Sequence, residues 1–472
     1  MSELALAFRN LLRNRRRSLS TLLTLAIGLT AILLFSGFKA NLGYTMLTAY
    51  VRAGGHLQVQ HRDYYLYGSG NPTAYAIADY QPLLDAIRRD PVLESMITVA
   101  TPMLRFGGLA GNFDAGISRT VIGTGYVAAD VNRMRQWNEY GIPVRGRHFA
   151  LEGTTRDSAI VGVGVARVLQ LCEPLHLADC PSPEPTTTEP TKRPAAQLPA
   201  DIAALAADSV SAAKTGTGAA GSGARLELLS SSSRGAPNVA TLNVVAAEDQ
   251  GFKELDEVSV ILHLAQAQQL VFGRAAPKIT AIMVLLNKSS DESAAAARLR
   301  EIVGGPAGGA QHLVVRSFGD LNPFYVQSEQ LFDVIFNFIS VLIGGIVLFT
   351  VSNTMNTSVV ERTVEIGTLR AIGLRQGGVR RLFVIEGFML GCAGAVLGVA
   401  SAIILGIAIN HSGLTWLPPA SSVRLPLQLR VLGDLSTLFG TSIGLVALAT
   451  ASAWWPARRA ARLNVVEALR HA

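Results

Sequence analysis

The sequence predicts a membrane protein with four transmembrane α-helices and a large α+β extracytoplasmic domain inserted between the first and the second of them. Three observations lead to this prediction. Four runs of apolar residues are each long enough to cross a bilayer, which takes about 20 residues of helix. Arginines crowd beside these runs. A long stretch with both helix-like and strand-like patterns separates the first run from the second.

Composition argues against an ordinary soluble protein, because 49% of the 472 residues are hydrophobic and only 16% are charged. The formal net charge of +7 comes mainly from arginine. A protein that binds nucleic acid would mix basic and aromatic residues on one folded face, whereas the arginines here lie next to apolar runs. We therefore expect membrane lipid, and no nucleic acid, among the partners.

The first apolar run, Leu19–Phe38, carries no charge. The second is Phe332–Val351, and the third, Leu382–Ile409, has no charge beyond Glu386. The fourth, Leu435–Trp455, ends on two tryptophans, which favour the membrane interface. Buried helices of soluble proteins rarely contain more than about 14 uninterrupted apolar residues, so four transmembrane helices are the better interpretation.

The positive-inside rule gives the orientation. Arginines cluster before the first run, between the second and third and after the fourth, but only Arg424 and Arg430 lie between the third and fourth. Both termini are therefore predicted to be cytoplasmic. The predicted segments are an amphipathic helix (1–18), transmembrane helix 1 (19–38), an extracytoplasmic domain (39–330), transmembrane helix 2 (331–353), a cytoplasmic loop (354–381), transmembrane helix 3 (382–409), a short outer loop (410–432), transmembrane helix 4 (433–456) and a cytoplasmic tail (457–472).

The N-terminus also fits a second description, since a cleaved secretory signal has a basic start followed by an apolar run. The apolar part of a signal is usually about 7–15 residues long and precedes a small-residue cleavage site. The run here is longer and no such site follows it, so we expect an uncleaved segment. Residues 2–17 would form an amphipathic helix on the membrane surface, with Leu4, Phe8, Leu11 and Leu12 on one face.

The stretch between the first two runs shows the mixed patterns of an α+β domain. The predicted helices are Pro82–Asp90, Val165–Leu171, Leu264–Phe272 and Ala294–Val303, and the predicted strands are Ile160–Val163, Val258–Leu262 and Ile279–Leu286.

Residues 181–236 differ from the rest of this domain, because Pro, Thr, Ala, Ser and Gly dominate them. Such a segment cannot bury enough apolar surface to offset its ordering entropy. We interpret it as a flexible low-complexity insert that acts as a linker, and an arm that contacts substrate is the alternative. Cys172 and Cys180 flank a short loop just before it. An oxidising compartment would permit a structural disulfide between them, and the sequence is equally compatible with two free thiols.

The sequence contains no recognisable catalytic constellation. A G-x-x-x-x-G-K-[ST] phosphate loop is absent, so we do not expect this chain itself to hydrolyse ATP. The H-E-x-x-H and C-x-x-C metal-binding spacings are absent as well. The prediction is a non-catalytic membrane subunit with no catalytic residue, metal or cofactor of its own.

The most informative motif is the cytoplasmic stretch Glu361–Gly373. Three- and four-residue spacings place Arg362, Glu365, Ile366 and Leu369 next to one another on a short helix. A face that mixes charged and apolar residues suits docking into the groove of a partner protein. A solvated helix lying on the membrane would show the same spacing, and the residues alone favour neither interpretation.

Gly387, Gly391, Gly394 and Gly398 form a stripe along the third apolar run, at spacings of four, three and four residues. Small residues on one helical face allow a second helix to approach closely. The second helix belongs either to this chain or to a second protomer, and the sequence allows both. Glu386, at the cytoplasmic edge of the same run, is predicted to lie at the membrane interface.

Together these motifs resemble the FtsX-like ABC permease family, of the MacB and LolC/LolE type. Glu361–Gly373, continued through Arg381–Gly387, is similar to the hallmark segment of that family. Three further stretches resemble its N-terminal helix, a recurring part of its outer domain and its C-terminal tail, respectively Phe8–Arg17, Ile160–Leu169 and Pro456–Arg470.

Two departures from the family pattern stand out. Val465 occupies a position where the family tail has proline, which hardly affects the assignment. Residues 181–236 lie where the family commonly has a short strand connection, so contacts of the outer domain cannot be transferred to them.

The resemblance implies a permease subunit of an ATP-driven ABC transporter of the mechanotransmission type, in a bacterial inner membrane. The coupling helix that seats on a separate cytoplasmic ABC ATPase, the subunit that binds ATP and magnesium, would comprise Glu361, Arg362, Glu365, Ile366, Gly367, Leu369, Arg370 and Gly373. A second permease subunit, the same or homologous, would complete a dimer, and a periplasmic adaptor or lipoprotein is a further expected partner.

The expected substrate is a lipidated, amphiphilic or peptide-like molecule that is exported or extracted, as in lipoprotein release. The alternative is a signalling subunit of the ABC type that activates a periplasmic partner such as a cell-wall hydrolase. A membrane scaffold without an ATPase is a third class, which the coupling segment disfavours.

Overall fold

The computed structural model describes residues 7, 9, 13, 15–113, 115–143, 146–177, 224–231, 236–309, 311–417 and 424–462. The chain divides into two compact units. The first, here the helical unit, comprises Met1–Leu47, Pro323–Trp416 and Leu425–Ala472. The second, here the sheet unit, comprises Thr48–Asn322 and Leu417–Arg424.

The described helices of six residues or more are α1 (Arg15–Gly54), α2 (Tyr80–Arg88), α3 (Ala128–Gln136), α4 (Val163–Val168), α5 (Leu264–Phe272), α6 (Glu292–Gly304), α7 (Pro323–Glu361), α8 (Thr363–Ala371), α9 (Gln376–His411) and α10 (Leu435–Ala461). The described strands are β1 (Leu57–His61), β2 (Ile97–Asn112), β3 (Ile117–Tyr126), β4 (Ser158–Gly162), β5 (Ala224–Ser231), β6 (Pro237–Glu248), β7 (Ser259–His263), β8 (Ala281–Leu286), β9 (Leu313–Ser317), β10 (Thr415–Trp416) and β11 (Leu425–Pro426).

Four described helices, α1, α7, α9 and α10, are long and apolar enough to cross a membrane. Each contains one of the four apolar runs, so the prediction of four candidate membrane-spanning helices is confirmed. At 40 and 39 residues, α1 and α7 are each about 60 Å long, twice the thickness of a bilayer core. They extend well beyond the predicted segments 19–38 and 331–353, because hydropathy marks the part of a helix suited to lipid rather than the ends of the helix.

The helical unit packs around a core to which all four long helices contribute. Its fully buried members include Leu25, Leu29, Val351, Ala402 and Ala449. Two pairs of hydroxyl groups link these helices in addition to the apolar contacts. Thr21 of α1 lies 2.8 Å from Thr354 of α7, and Thr30 of α1 lies 2.5 Å from Ser401 of α9, measured between side-chain oxygens. Hydrogen bonds of this kind hold apolar helices together where the hydrophobic effect between them is weak.

The sheet unit is built on nine described strands in the order β3-β7-β4-β6-β5-β2-β8-β1-β9, with β3 also pairing with β2. Six of them, β2, β3, β7, β4, β6 and β5, therefore pair in a closed circuit. The long strand β2 serves two parts of the sheet, because its first half pairs with β8 and its second half with β3 and β5. Closing a sheet removes its exposed edges.

Helices α2, α5 and α6 contribute to the same core as the strands. Buried residues of these helices include Leu84, Leu270 and Leu299, which join buried strand residues such as Leu226 and Ile282 in one apolar cluster. The prediction of mixed helix and strand in this stretch agrees with the described elements. Helix α5 has the predicted ends, and the other predicted elements overlap the described helices or strands with boundaries shifted by a few residues.

The structure differs from the prediction at the end of the low-complexity insert, predicted as 181–236. Ala224–Ser231 form strand β5, whose alternate side chains are buried. The alternation of Leu226 and Leu228 with charged neighbours is a strand pattern that the surrounding serines and glycines obscured. Residues 178–223 lie outside the described residues. Cys180 is among them, so the predicted disulfide between Cys172 and Cys180 lies outside the described residues as well.

Candidate coupling site

The Glu361–Gly373 motif forms a separate short helix between two long ones. Helix α7 runs to Glu361, and α8 covers Thr363–Ala371. Arg362 stands between them with φ −104° and ψ 17°, outside the helical region. Gly373 follows α8 with φ +110°, a conformation that favours glycine. The predicted short helix is therefore present, and the chain changes direction at both of its ends.

Arg362 and Glu386 form a buried ion pair between the start of α8 and helix α9. The Nη1 atom of Arg362 donates to Oε1 of Glu386 at 2.9 Å, and the side chains are only 7% and 2% exposed. Glu386 therefore lies in a buried contact between helices, which its predicted place at the membrane interface did not anticipate. Glu386 precedes Gly387 on the packed face of α9, and withdrawing its charge from water is offset by the guanidinium of Arg362.

Two exposed ion pairs connect the N-terminal segment to the same region. The two terminal guanidinium nitrogens of Arg17 donate to the Glu361 carboxylate, Nη1 at 2.7 Å, and Arg13 donates to Glu365. The Arg17 guanidinium also holds the pKa of the Glu361 carboxyl below its ordinary value. The sequence carried only part of the signal for these pairs. Arg13 and Arg17 lie four residues apart, as on one helical face, whereas Glu361 and Glu365 lie on either side of the break at Arg362.

The N-terminal prediction concerned a different set of residues. Ala7, Arg9 and Arg13 are helical, and Ala7 is fully buried. Leu4, Phe8, Leu11 and Leu12, the predicted apolar face, lie outside the described residues.

The predicted coupling residues are distributed over two faces of α8 and its flanks. Arg362, Ile366 and Gly367 are buried, so they hold the helix in place and are not available to a partner. Glu361 and Glu365 face the N-terminal arginines, as described above. Arg370 lies in the last turn, on a partly exposed position.

Several apolar side chains are exposed in this region. Leu369 is 37% exposed and Ile372, one residue beyond α8, is 80% exposed. Val364 and Leu374 are also exposed. An isolated exposed leucine is ordinary on a protein surface, but two exposed apolar residues on a short helix and two just beyond its end form a candidate contact surface. We call Val364, Leu369, Ile372 and Leu374 the α8 surface.

The glycine stripe of α9 packs against two helices of this same chain. A Cβ atom added to Gly387 would lie 2.5 Å from the Cβ of Ala453 on α10, and one on Gly394 would lie 2.6 Å from the Cβ of Leu25 on α1. The other two follow the same division, since Gly391 meets Ala449 and Val446 of α10, and Gly398 meets Leu29 and Ala26 of α1. The stripe thus allows α9 to approach both neighbours, whereas the sequence could not distinguish this from packing against a second protomer.

Comparison with known proteins places similarity in the part of the chain that holds this site. Residues 336–465, which include α8, α9, α10 and most of α7, match the family model described as FtsX-like permease C-terminal. The match includes the α8 surface, the buried ion pair and the glycine stripe.

Curated relatives share the same segment. A macrolide export ATP-binding/permease protein MacB from Shewanella oneidensis is 37% identical over 131 residues, which are 28% of this chain and 18% of that protein. The MacB protein of Vibrio parahaemolyticus is 32% identical over 131 residues, with the same shares. That of Sodalis glossinidius is 28% identical over 211 residues, 45% of this chain and 29% of that protein. The matched part of the chain thus spans less than a third of the length of these relatives.

Proposed function

The chain belongs to the FtsX-like ABC permease family, and from that premise we propose that it is the permease subunit of an ATP-driven ABC transporter. ATP and magnesium would be bound by a separate cytoplasmic ATPase subunit, which docks on the α8 surface. The observation that carries the proposal is the geometry of α8, a short helix that presents apolar side chains outward while ion pairs fix its position. A second permease subunit would complete the working complex.

Docking on α8 has a physical basis in the exposed side chains. Ile372 is 80% exposed and Leu369 37%, and burial of an exposed aliphatic side chain in the groove of a partner stabilises a complex by about 1.5–3 kcal/mol. A helix laid into a groove commonly uses anchors at three- and four-residue spacing, as Leu369 and Ile372 have. A helix that only rested on the membrane would not need the ion pairs that orient it.

The ion pairs give a route by which movement of the ATPase would reach the rest of the helical unit. Arg362 joins the start of α8 to Glu386 on α9, and Arg17 on α1 joins Glu361 at the end of α7. A rigid-body displacement of α8 would therefore act on three long helices at once. Such a displacement requires that the ATPase bind one conformation of the permease more tightly than another.

The direction of transport and the substrate class follow as parts of the proposal. The curated relatives are named for export, and we extend export or extraction to this chain. The substrate would be lipidated, amphiphilic or peptide-like, with a periplasmic adaptor or lipoprotein as a further partner. Both termini and α8 would be cytoplasmic in a bacterial inner membrane, and the sheet unit would lie on the periplasmic side.

Affinity purification from mild detergent tests the proposal. The wild type should recover an ATPase with a G-x-x-x-x-G-K-[ST] phosphate loop, and the double variant Leu369→Asp, Ile372→Asp should lose it. Leu414→Asp is the matched control, since Leu414 is 54% exposed beyond the other end of α9. Variants of Arg362 are unsuitable here because this side chain is buried. Absence of any ATPase from folded wild-type protein would overturn the proposal.

A further inference from the structure

A groove of about 800 Å³ runs between α9 and α10 on the surface of the helical unit. Its walls extend from Val384 to Ala395 on α9 and from Ser442 to Trp454 on α10. The lining is apolar apart from a few hydroxyl and thiol groups. Exposed side chains along it include Phe388 at 48% and Ile443 at 67%. The groove thus lies open on the outer surface of α9 and α10, two helices that are apolar enough to cross a membrane.

The length of the groove matches one leaflet of a bilayer. The walls are twelve residues long on α9 and thirteen on α10, which corresponds to about 17 Å of helix at a rise of 1.5 Å per residue. The hydrocarbon core of a bilayer is about 30 Å thick, so one leaflet contributes about 15 Å. A single extended acyl chain would therefore fill the groove from end to end.

One end of the groove is basic. Arg380 precedes Val384 by four residues on α9, and Arg458 follows Trp454 by four residues on α10. Each arginine therefore lies one helical turn beyond the apolar lining, on the face of its helix that lines the groove. Both are exposed, and the Arg458 guanidinium lies 5.5 Å from the centre of the Trp454 ring. Between Gln376 and Ile385, and between Trp454 and Arg462, the chain has no acidic residue.

We propose that this groove binds an anionic phospholipid of the cytoplasmic leaflet, with one acyl chain along the groove and its phosphate against Arg380 and Arg458. An apolar trough of one-leaflet length that ends in arginines matches the shape and charge of such a lipid. Trp454, 45% exposed beside Arg458, has the ring type that favours the level of the headgroups. The inference is independent of the ATPase, because it rests on α9 and α10 and, for the choice of leaflet, on the orientation proposed above.

Charge also distinguishes a lipid from a second copy of this chain. A two-fold dimer through the groove would place the same patch against itself, which would bring Arg380 and Arg458 towards their counterparts. Like charges in such an interface oppose association, whereas a phosphate neutralises them. Anionic lipid is therefore the occupant that the groove favours.

Native mass spectrometry of the full chain, released from nanodiscs, measures the bound lipid. Phosphatidylglycerol and phosphatidylcholine nanodiscs are the two probes. The wild type should retain one phosphatidylglycerol and no phosphatidylcholine. In titrations, the double variant Arg380→Gln, Arg458→Gln should weaken phosphatidylglycerol binding by about 30-fold, because each arginine contributes about 1 kcal/mol. Arg459→Gln, one residue round the helix, is the charge control and should retain the lipid.

A second variant tests the groove itself. Ala447 lines the groove at an exposed position, and Ala447→Phe should fill the trough and release the lipid. Ala400→Phe, exposed on α9 away from the lining, is the control and should retain it. Equal phosphatidylglycerol retention by the groove variants and the wild type would overturn the proposal. So would a wild-type dimer that Ala447→Phe dissociates without any change in lipid.

Discussion

The guanidinium of Arg362 lies 2.9 Å from the carboxylate of Glu386, and the two side chains are among the most deeply buried charges in the described part of the chain. This pair joins the hinge before α8 to the long helix α9. A buried ion pair is costly to form and costly to break, because loss of one partner leaves the other charge buried alone. Its position makes it one of the links between the region of α8 and the long apolar helices.

Breaking this pair from one side should destabilise the protein strongly. Arg362→Met and Glu386→Leu should each lower the free energy of unfolding by about 3–5 kcal/mol, seen as a lower thermal unfolding midpoint in detergent. The double variant should recover most of the loss, since two apolar side chains of similar size need no counter-charge. Additive losses in the double variant would contradict the pairing.

Because α9 approaches its neighbouring helices closely at the glycine stripe, a methyl group added there should lower the stability of the helical unit. Gly387→Ala places a Cβ atom 2.5 Å from that of Ala453, so α9 and α10 must move apart and the unfolding midpoint should fall. Gly444→Ala, in α10 with open space around it, is the matched control and should hold or raise the midpoint, because alanine favours a helix over glycine. Equal effects of the two variants would contradict the packing.

Stability of the sheet unit should depend on pH through His56. This side chain is fully buried, and burial lowers its pKa from 6.5 to about 4. Its Nδ1 accepts from the Leu286 amide at 3.1 Å, and Nε2 faces Ser289 Oγ at 3.1 Å, which in turn donates to Glu139. The neutral ring therefore has its proton on Nε2, and a second proton would break the bond to Leu286.

The direction of the pH effect follows from the lowered pKa. Below about pH 6.5 the unfolded chain takes up a proton that the folded protein disfavours, so the contribution of His56 is complete above pH 6.5 and is lost as the pH falls towards 4. The loss should reach about 3 kcal/mol. Thermal unfolding from pH 7 to 4 measures it. His56→Asn, which keeps an acceptor for Leu286, should flatten this part of the profile, and an unchanged slope would contradict the assignment.

Orientation can be tested with two matched exposed positions. Phe113 in the sheet unit is 81% exposed and Ile372 is 80% exposed. An impermeant maleimide applied to spheroplasts should label Phe113→Cys and should label Ile372→Cys only after permeabilisation, both above the background of the natural cysteines. Labelling of Ile372→Cys in intact spheroplasts would contradict the proposed topology.

The four long helices could be predicted from sequence because hydropathy is a local property, visible in any window of about 20 residues. The closed arrangement of six strands could not, since it depends on the pairings of β2 with β5 and of β3 with β7, which join residues more than a hundred positions apart. Strand β5 was hidden for a related reason, because its short alternating pattern follows a long low-complexity stretch.

At the site, spacing identified the short helix and the small-residue face of α9, but it assigned no direction to individual side chains. Arg362 was grouped with the docking residues, and Glu386 was assigned to the interface. The structure pairs them, with both side chains buried. Pairing between residues 24 positions apart cannot be derived from helical periodicity across the break at Arg362.

The most direct test of the proposed coupling is a photo-crosslinking amino acid placed at Ile372 in living cells, with Leu414 as the matched exposed position. The account predicts that Ile372 crosslinks to a cytoplasmic protein with a G-x-x-x-x-G-K-[ST] phosphate loop and that Leu414 does not. Crosslinks from Ile372 to lipid alone, in cells that produce the folded protein, would contradict the account and leave α8 as a helix lying on the membrane.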